Sequence, residues 1–297
     1  MKNIILWILL ALIWSSSFLA IKLGVEDIAP FTLVAIRMII STLIIVSILR
    51  IKSLKLPRDM RSWVIMIIIG LSGSIIPFVL ISYGEIYVQS GLAALLMGIT
   101  PIITVLFAPL VHEDETLTLK ALFGVFIGIL GLLVLITPSA LTQIGAHFLG
   151  QIAILLAALL YAFSTLFVRK YARLPVLVIS AGSMISATIL IVILALIIDN
   201  PFAMAMPSNS SIIAVIYLGI FPTAIATLIY FYLISRVGAA RISMINFVVP
   251  VVGVILGALF LDERFSLNVF IALLMIIFAV YLVAKKPKKR FQNTSDK

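Results

Sequence analysis

At 297 residues, 64% hydrophobic and 11% charged, with a mean hydropathy of +1.32, the chain is too apolar for a soluble domain, which runs to about half apolar and about a quarter charged. It is an integral membrane protein by composition. The formal charge of +10 is gathered in short stretches between apolar runs, which marks membrane orientation rather than a nucleic-acid footprint. The absence of cysteine excludes disulfide and thiolate chemistry.

A helical crossing takes about 20 largely apolar residues. Such runs are expected near 4–21, 31–49, 63–83, 86–110, 119–137, 148–168, 174–197, 211–234, 239–261 and 267–284. They read as helices because a helix satisfies its own backbone in lipid. The first run passes Trp14 to about Ile21 without an A-x-A cleavage site, so it reads as a retained span rather than a signal peptide. Pro30 opens the second run, Pro77 kinks the third, and the third and fourth form a tight hairpin.

Placing the N-terminus in the cytoplasm puts nearly all the basic residues inside. These are Lys2; Arg50, Lys52, Lys55, Arg58 and Arg61; Lys120; Arg169, Lys170 and Arg173; Arg236 and Arg241; and the tail at 285–297. Only Lys22 and Arg264 fall outside, and Arg37 lies within a span. This positive-inside bias predicts an even number of crossings with both termini cytoplasmic, in a cell membrane.

Residues 83–115 (YGEIYVQSGLAALLMGITPIITVLFAPLVHEDE) return as 230–263 (YFYLISRVGAARISMINFVVPVVGVILGALFLDE). Tyr83 and Tyr230, like Gly91 and Gly238, are 147 residues apart, while Pro101 and Pro250 are 149 apart. The first span repeats as well: ALIWSSSFLAIK at 11–22 matches ALLYAFSTLFVR at 158–169, with Trp14 opposite Tyr161, Ser17 opposite Ser164 and Lys22 opposite Arg169. Pro175 answers Pro30, and Pro222 answers Pro77. Five spans per half is an odd number, so the second half inserts upside down relative to the first. The expected fold is an all-α integral membrane protein of ten transmembrane helices, a 5+5 inverted repeat around a central cavity. The repeats cover 1–140 and 141–284, and a basic cytoplasmic tail covers 285–297. Paired interrupted helices point to a transporter's binding site, and Pro77, Pro101, Pro222 and Pro250 are the expected breaks or hinges. The competing reading is two ordinary kinked packing helices.

Four stretches carry a family resemblance: LLALIWSSSFLAIK at 9–22, APFTLVAIR at 29–37, SGLAALLMGITPIITVL at 90–106 and VVPVVGVILGALFLDERFS at 248–266. In these the chain resembles the EamA-type branch of the drug/metabolite transporter superfamily, over about 4–284. The most specific part is the D-E-R-x-S turn at 262–266. The corresponding first-half turn, Asp114-Glu115-Thr116-Leu117-Thr118, lacks the Arg. The resemblance implies a ten-helix bundle with a central cavity that exports small metabolites or facilitates their movement, often amino acids. It also makes an Arg at position 37 expected, and it leaves the substrate open.

Arg37 is the sharpest single residue. A charge seven residues into a span faces the bundle or a water-filled cavity and could hold a substrate carboxylate. Alternatively it snorkels to the surface or pairs with Glu26, Asp27 or Glu85. Trp14 with Ser17, and Tyr161 with Ser164, each share a helical face. These pairs either line a cavity from opposite sides or pack closely. Tyr83 and Tyr230 end matching spans as interface anchors or gates. Thr100 and Asn246, near the prolines, are polar groups at the midplane for a ligand or for a neighbouring helix. Ser74 and Thr223 are expected to satisfy loosened backbone. His112 and His147 fall in loops, and no carboxylate lies clearly in a span, Glu85 being marginal, which leaves facilitated diffusion open and disfavours a carboxylate proton relay.

An enzyme is not expected, since no nucleophile–base pair, metal cluster or H-E-x-x-H is present. A scaffold or receptor without transport is the alternative to a transporter, but the loops are short for an external binding domain. No cofactor or metal is expected. The expected partners are a small-molecule substrate and membrane lipids, the latter through the basic tail. The oligomeric state is open, a monomer included.

Overall fold

The structure is a computed structural model that describes residues 2–113, 117–134, 147–260 and 267–284. Among these residues it is all helix and has no strand. Helices α1 (Lys2–Gly24) and α2 (Pro30–Ile51) are continuous. Helix α3 (Met60–Gly70) passes through a π-helical stretch, Leu71–Ile75, into α4 (Ile76–Tyr87). Short α5 (Ser90–Leu96), α6 (Ile99–Val111) and α7 (Leu119–Val134) follow. The later part holds α8 (Phe148–Tyr171), α9 (Val176–Ile198) and α10 (Asn209–Leu218). A second π-helical stretch, Gly219–Ile225, leads into α11 (Ala226–Val237), and α12 (Ala239–Ser243), α13 (Ile245–Phe260) and α14 (Leu267–Ala284) complete the chain.

Seven helical stretches among the described residues are long and apolar enough to cross a membrane, and shorter apolar helices occupy Leu119–Val134, Ala239–Val252 and Phe270–Val283. Their outer surfaces are apolar: Leu43, Ile189, Ile197, Ile213 and Leu274 are more than half exposed. The buried polar residues are mostly Ser and Thr, which let helices approach closely and return their hydroxyls to a carbonyl one turn back, as Ser15 does to Ala11 and Ser180 to Val176. Helix α2 crosses α9 where Thr42 and Thr188 share a 2.6 Å hydrogen bond. Helix α7 packs against α14, where a Cβ at Gly124 would stand 3.0 Å from the Ala279 carbonyl oxygen. That helix pair needs glycine to come so close.

The breaks lie beside the prolines rather than on them. A helical proline removes a donor and its ring clashes with the carbonyl four residues back, which for Pro101 is that of Met97. The chain breaks there, between Leu96 and Ile99, and continues through tighter turns, Gly98 N–H to Leu95 and Thr100 N–H to Met97. Pro250 departs from expectation. It sits inside α13, and the break before that helix is at Met244, six residues upstream. Pro77 and Pro222 are absorbed by the two π-helical stretches, which take up the misfit of the lost bond. Gly91 and Gly238 also differ despite their matched positions. Gly238 has φ 91° and joins α11 to α12, whereas Gly91 is an exposed helical residue.

The basic side chains identify one end of the bundle, called here the basic end. Lys2 and Arg236 both sit over the Tyr232 ring, and Arg169 donates to the Ser235 carbonyl. The opposite, far end carries Lys22, Asp27, Tyr87, His147 and Ser208. The two acidic turns, at 114–116 and 262–266, the boundary expected at 140, and the tail at 285–297 lie outside the described residues.

Candidate functional site

Helices α1 and α8 each turn one stripe toward a shared cavity. Trp14, Ser17, Phe18 and Ile21 follow helical spacing on α1; Tyr161, Ser164, Thr165 and Val168 do so on α8, each 147 residues later. The cavity measures about 100 Å³. Much of the remaining wall comes from Arg37 on α2, from Gly73, Ser74, Phe78 and Ile81 around the first π stretch, and from Pro222, Thr227, Tyr230 and Phe231 around the second, with Met97 and Met184 among the rest. Ser243, Asn246 and Val249, at three-residue spacing on α12 and α13, close the ring. The π stretches matter because they shift the register of the following turn, bringing Ser74 and Thr227 to the wall. In the second stretch the carbonyl four residues before Pro222, that of Leu218, is satisfied by the Thr223 hydroxyl at 2.7 Å. In the first, the hydroxyl that returns to the backbone is Ser72, bonding Ile68 at 2.7 Å, and Ser74 faces the cavity instead.

Arg37 is the one charged residue among the described lining residues. It is 2% exposed, which rules out snorkelling. Its Nε donates to Thr223 Oγ1 at 3.0 Å, and its Cζ lies 3.8 Å from the centre of the Phe78 ring. A desolvated cation–π contact of this kind is worth about 2 kcal/mol. Its Nη1 has no hydrogen-bond partner among the described residues. Glu26 and Asp27 are not its partners: both are exposed, and the Asp27 carboxylate is occupied by Ser208 and Ser211. The guanidinium is thus anchored on two sides and unsatisfied on a third.

Of the residues singled out in the sequence, the structure gathers Trp14, Ser17, Arg37, Tyr161, Ser164, Tyr230 and Asn246 around the cavity. Tyr230 lies 5.9 Å from Trp14, ring to ring, and donates to Thr165 Oγ1 at 3.1 Å, so it is a wall residue and not an interface anchor. Tyr83, its sequence counterpart, is outside the cavity and packs edge-on against Tyr87. Thr100 is outside it too, buried against α8, where it donates to the Ala158 carbonyl at 3.4 Å. Pro222 lines the cavity, while Pro77, Pro101 and Pro250 do not. His112 is buried at the end of α6, and His147 sits 6.4 Å from the Tyr87 ring.

Two things escaped the sequence reading. Phe78, the aromatic under Arg37, was hidden beside Pro77; the signal was its position seven residues before Glu85 on a stripe through Ile81. Glu85 does lie in the last turn of α4, but it is 0% exposed there.

The two ends of the cavity differ. Toward the basic end, Val168 and Phe231 are all that the cavity shares with a second crevice of about 550 Å³, lined by Arg169, Lys170, Arg173 and Ser235. Toward the far end the last lining residues along α1 and α4 are Ile21 and Ile81, and polar ties lie beyond them. Lys22 donates to the main-chain oxygens of Glu85 at 2.5 Å and Val88 at 3.4 Å, an ammonium against a helix C-terminus. Asp27 accepts from the Ser208 backbone and from both serine hydroxyls, and Ser211 reaches the Leu23 carbonyl. The Thr32 N–H donates to Asp199 at 2.6 Å. Hydrogen bonds from Ser208 and Ser211 hold the Asp27 carboxyl below the usual carboxylate range. Among the described residues no group of three His, Asp or Glu side chains comes together as a metal site would require.

The model of the EamA-like transporter family matches residues 1–137 and 148–285. Protein PagO of Salmonella typhimurium is 29% identical over 289 residues, covering 94% of this chain and 91% of that protein. The inner membrane transporter YedA of Escherichia coli K12 is 30% identical over 276 residues, covering 92% and 88%. A crystal structure 21% identical in sequence superposes with a TM-score of 0.77 over 95% of this chain and 97% of its own, a likeness of fold.

Proposed function

Because the chain belongs to the EamA-like transporter family, we propose that it moves small amphipathic metabolites bearing a carboxylate, such as amino acids, out of the cell by alternating access. The observation that carries this reading is Arg37: a guanidinium fixed by Thr223 and Phe78, on a residue that lines the cavity, with a buried Nη1 that has no partner among the described residues. A carboxylate oxygen supplies what that nitrogen lacks, in a charge-assisted bond. Trp14, Tyr161, Tyr230 and Phe78 offer apolar contact beside it, and the Ser17, Ser164 and Ser243 hydroxyls with the Asn246 amide offer orientation. A volume of about 100 Å³ suits a small solute.

In this reading the bundle has ten crossings in two inverted halves, with repeats over 1–140 and 141–284 and the basic end in the cytoplasm. The packing supports it. Helix α1 rests on α10, α11 and α13, while α8 rests on α4 and α6, and these are matching elements of the two halves. Pairs α2–α9 and α7–α14 each join a helix to its own counterpart, as a pseudo-two-fold axis in the membrane plane requires. Rocking of the halves about the α2–α9 crossing would open the ends in turn.

The test is counterflow of a panel of radiolabelled amino acids in proteoliposomes. Arg37→Ala should lower the rate for carboxylate solutes at least about 30-fold, the equivalent of about 2 kcal/mol, with normal reconstitution. Arg37→Lys should retain part of it. Counterflow of the same solutes at the wild-type rate by Arg37→Ala would overturn the binding role.

A further inference from the structure

Glu85 is a buried carboxylate that the cavity does not use. It is 0% exposed, and neither carboxylate oxygen accepts a hydrogen bond from any described residue; nor does the hydroxyl of Ser82, one turn earlier on the same face, have a partner. A charged carboxylate in apolar surroundings without a donor is costly, and such groups are held neutral or paired. The cations that act on it are Lys22 from α1 and Arg37 from α2. Arg37 is committed to Thr223 and Phe78, and the Lys22 ammonium bonds the main-chain oxygens of Glu85 and Val88. From α8, Tyr161 lines the same cavity as Arg37, and His147 before that helix stands against Tyr87. Helix α5 and the first π stretch bring no titratable residue. On α4 itself Tyr83 and Tyr87 face each other.

The position is as telling as the burial. Ile81 and Ile21 are the last lining residues along α4 and α1 toward the far end. Glu85 is one helical turn beyond Ile81, and Lys22 is the residue after Ile21. The carboxyl and the ammonium therefore make the first layer between cavity and far end, with the ammonium holding α1 to the end of α4 through carbonyls alone.

We propose that Glu85 is a proton-binding site that gates the far end of the cavity: it carries a proton while that end is closed, and loss of the proton opens it. On release, the proton passes to water at the far end and the charge left on the carboxylate is neutralised by the Lys22 ammonium. Lys22 then gives up the Glu85 and Val88 carbonyls, and the tie between α1 and α4 comes undone. The ligand of this site is a proton. The gating rests on the transport reading above, while the protonation does not. It makes movement of the solute sensitive to pH on the far side, contrary to the expectation from sequence that no carboxylate was placed to do so.

Two measurements on the full chain in nanodiscs test this without a transport substrate. The first is infrared difference spectroscopy across a titration from about pH 4 to about pH 9, which spans the ordinary carboxyl and histidine ranges. A protonated-carboxyl band should vanish as pH rises, be absent from Glu85→Gln, and return at a shifted frequency in Glu85→Asp. The second uses the absence of cysteine in the chain. Ser82→Cys, a near-isosteric change, supplies a single thiol, alkylated by a polar maleimide at each pH with Glu85 intact or combined with Glu85→Gln. The ratio of the two rates cancels the thiol's own titration and should rise about tenfold from the acidic to the alkaline limit. Absence of any band removed by Glu85→Gln overturns the proton site. A labelling ratio that stays flat overturns the gate. Failure of the Arg37→Ala counterflow test would leave both results standing, so the two proposals fail separately.

Discussion

The two ends of the cavity are built differently. Toward the basic end, Val168 and Phe231 are the shared boundary with a basic crevice. Toward the far end, Lys22, Asp27 and Asp199 tie α1, α2 and the loop between them to α4, α9 and α10 through hydrogen bonds to carbonyls, hydroxyls and one helix N-terminus. In the inverted repeat proposed above the two ends would begin as near equivalents. The difference teaches that polar ties reach from helix ends and a loop across the far end, whereas at the basic end the shared boundary is apolar and the polar contact of Arg169 with the Ser235 carbonyl lies in the crevice beyond it. The tying residues are at the ends of helices, where unsatisfied backbone groups accept side chains readily.

Beyond the loss expected of Arg37→Ala, the largest effect should come from breaking the far end. Lys22→Met removes the ammonium from the α4 C-terminus, an interaction worth about 1 kcal/mol. Alkylation of Ser82→Cys in that background should rise about fivefold, making the two ends more alike; an unchanged rate would show that Lys22 does not hold the end closed. Asp27→Asn should do less, under about twofold on the same label, because the site is solvent-exposed and screened. Its pH behaviour sharpens the contrast with Glu85. Ser208 and Ser211 depress the Asp27 pKa, so this tie is fully present above the ordinary carboxylate range and is lost only as pH falls through the depressed value. Titration near neutrality should therefore leave the Asp27 tie intact. A change of labelling near neutral pH that Asp27→Asn abolishes would assign the gate to Asp27 and not to Glu85. The smallest effect is expected of Tyr83→Phe, which leaves the cavity untouched; a change in counterflow beyond about twofold would mean that this partly buried ring takes part after all.

Much of the site was legible because it is periodic and repeated. Trp14 and Ser17 pointed to Tyr161 and Ser164, and all four reached one cavity. Phe18, Ile21, Thr165 and Val168 complete the same stripes and could have been added from spacing alone. Tyr83 and Thr100 stay outside the cavity, Thr100 in the helix-bonding role that was one of its two expected ones. Equivalence in sequence gives equivalence of depth, and not of the direction a side chain faces once a helix breaks or a π turn shifts its register. Pro101 and Pro250 show the limit plainly: matched in sequence, one stands just after a break and the other well inside a helix.

The sequence by itself determined the membrane class, the helical runs, the doubled pattern of Pro and aromatic residues, and the presence of one cation inside a span. These depend on composition and period, which water and lipid read locally. Only the tertiary structure decided that Arg37 rests on Phe78 and Thr223, that Tyr230 meets Trp14 while Tyr83 does not enter the cavity, and that Glu85 is fully buried. Those outcomes depend on which helices meet and how each is rotated, and rotation is set by packing between segments distant in the chain.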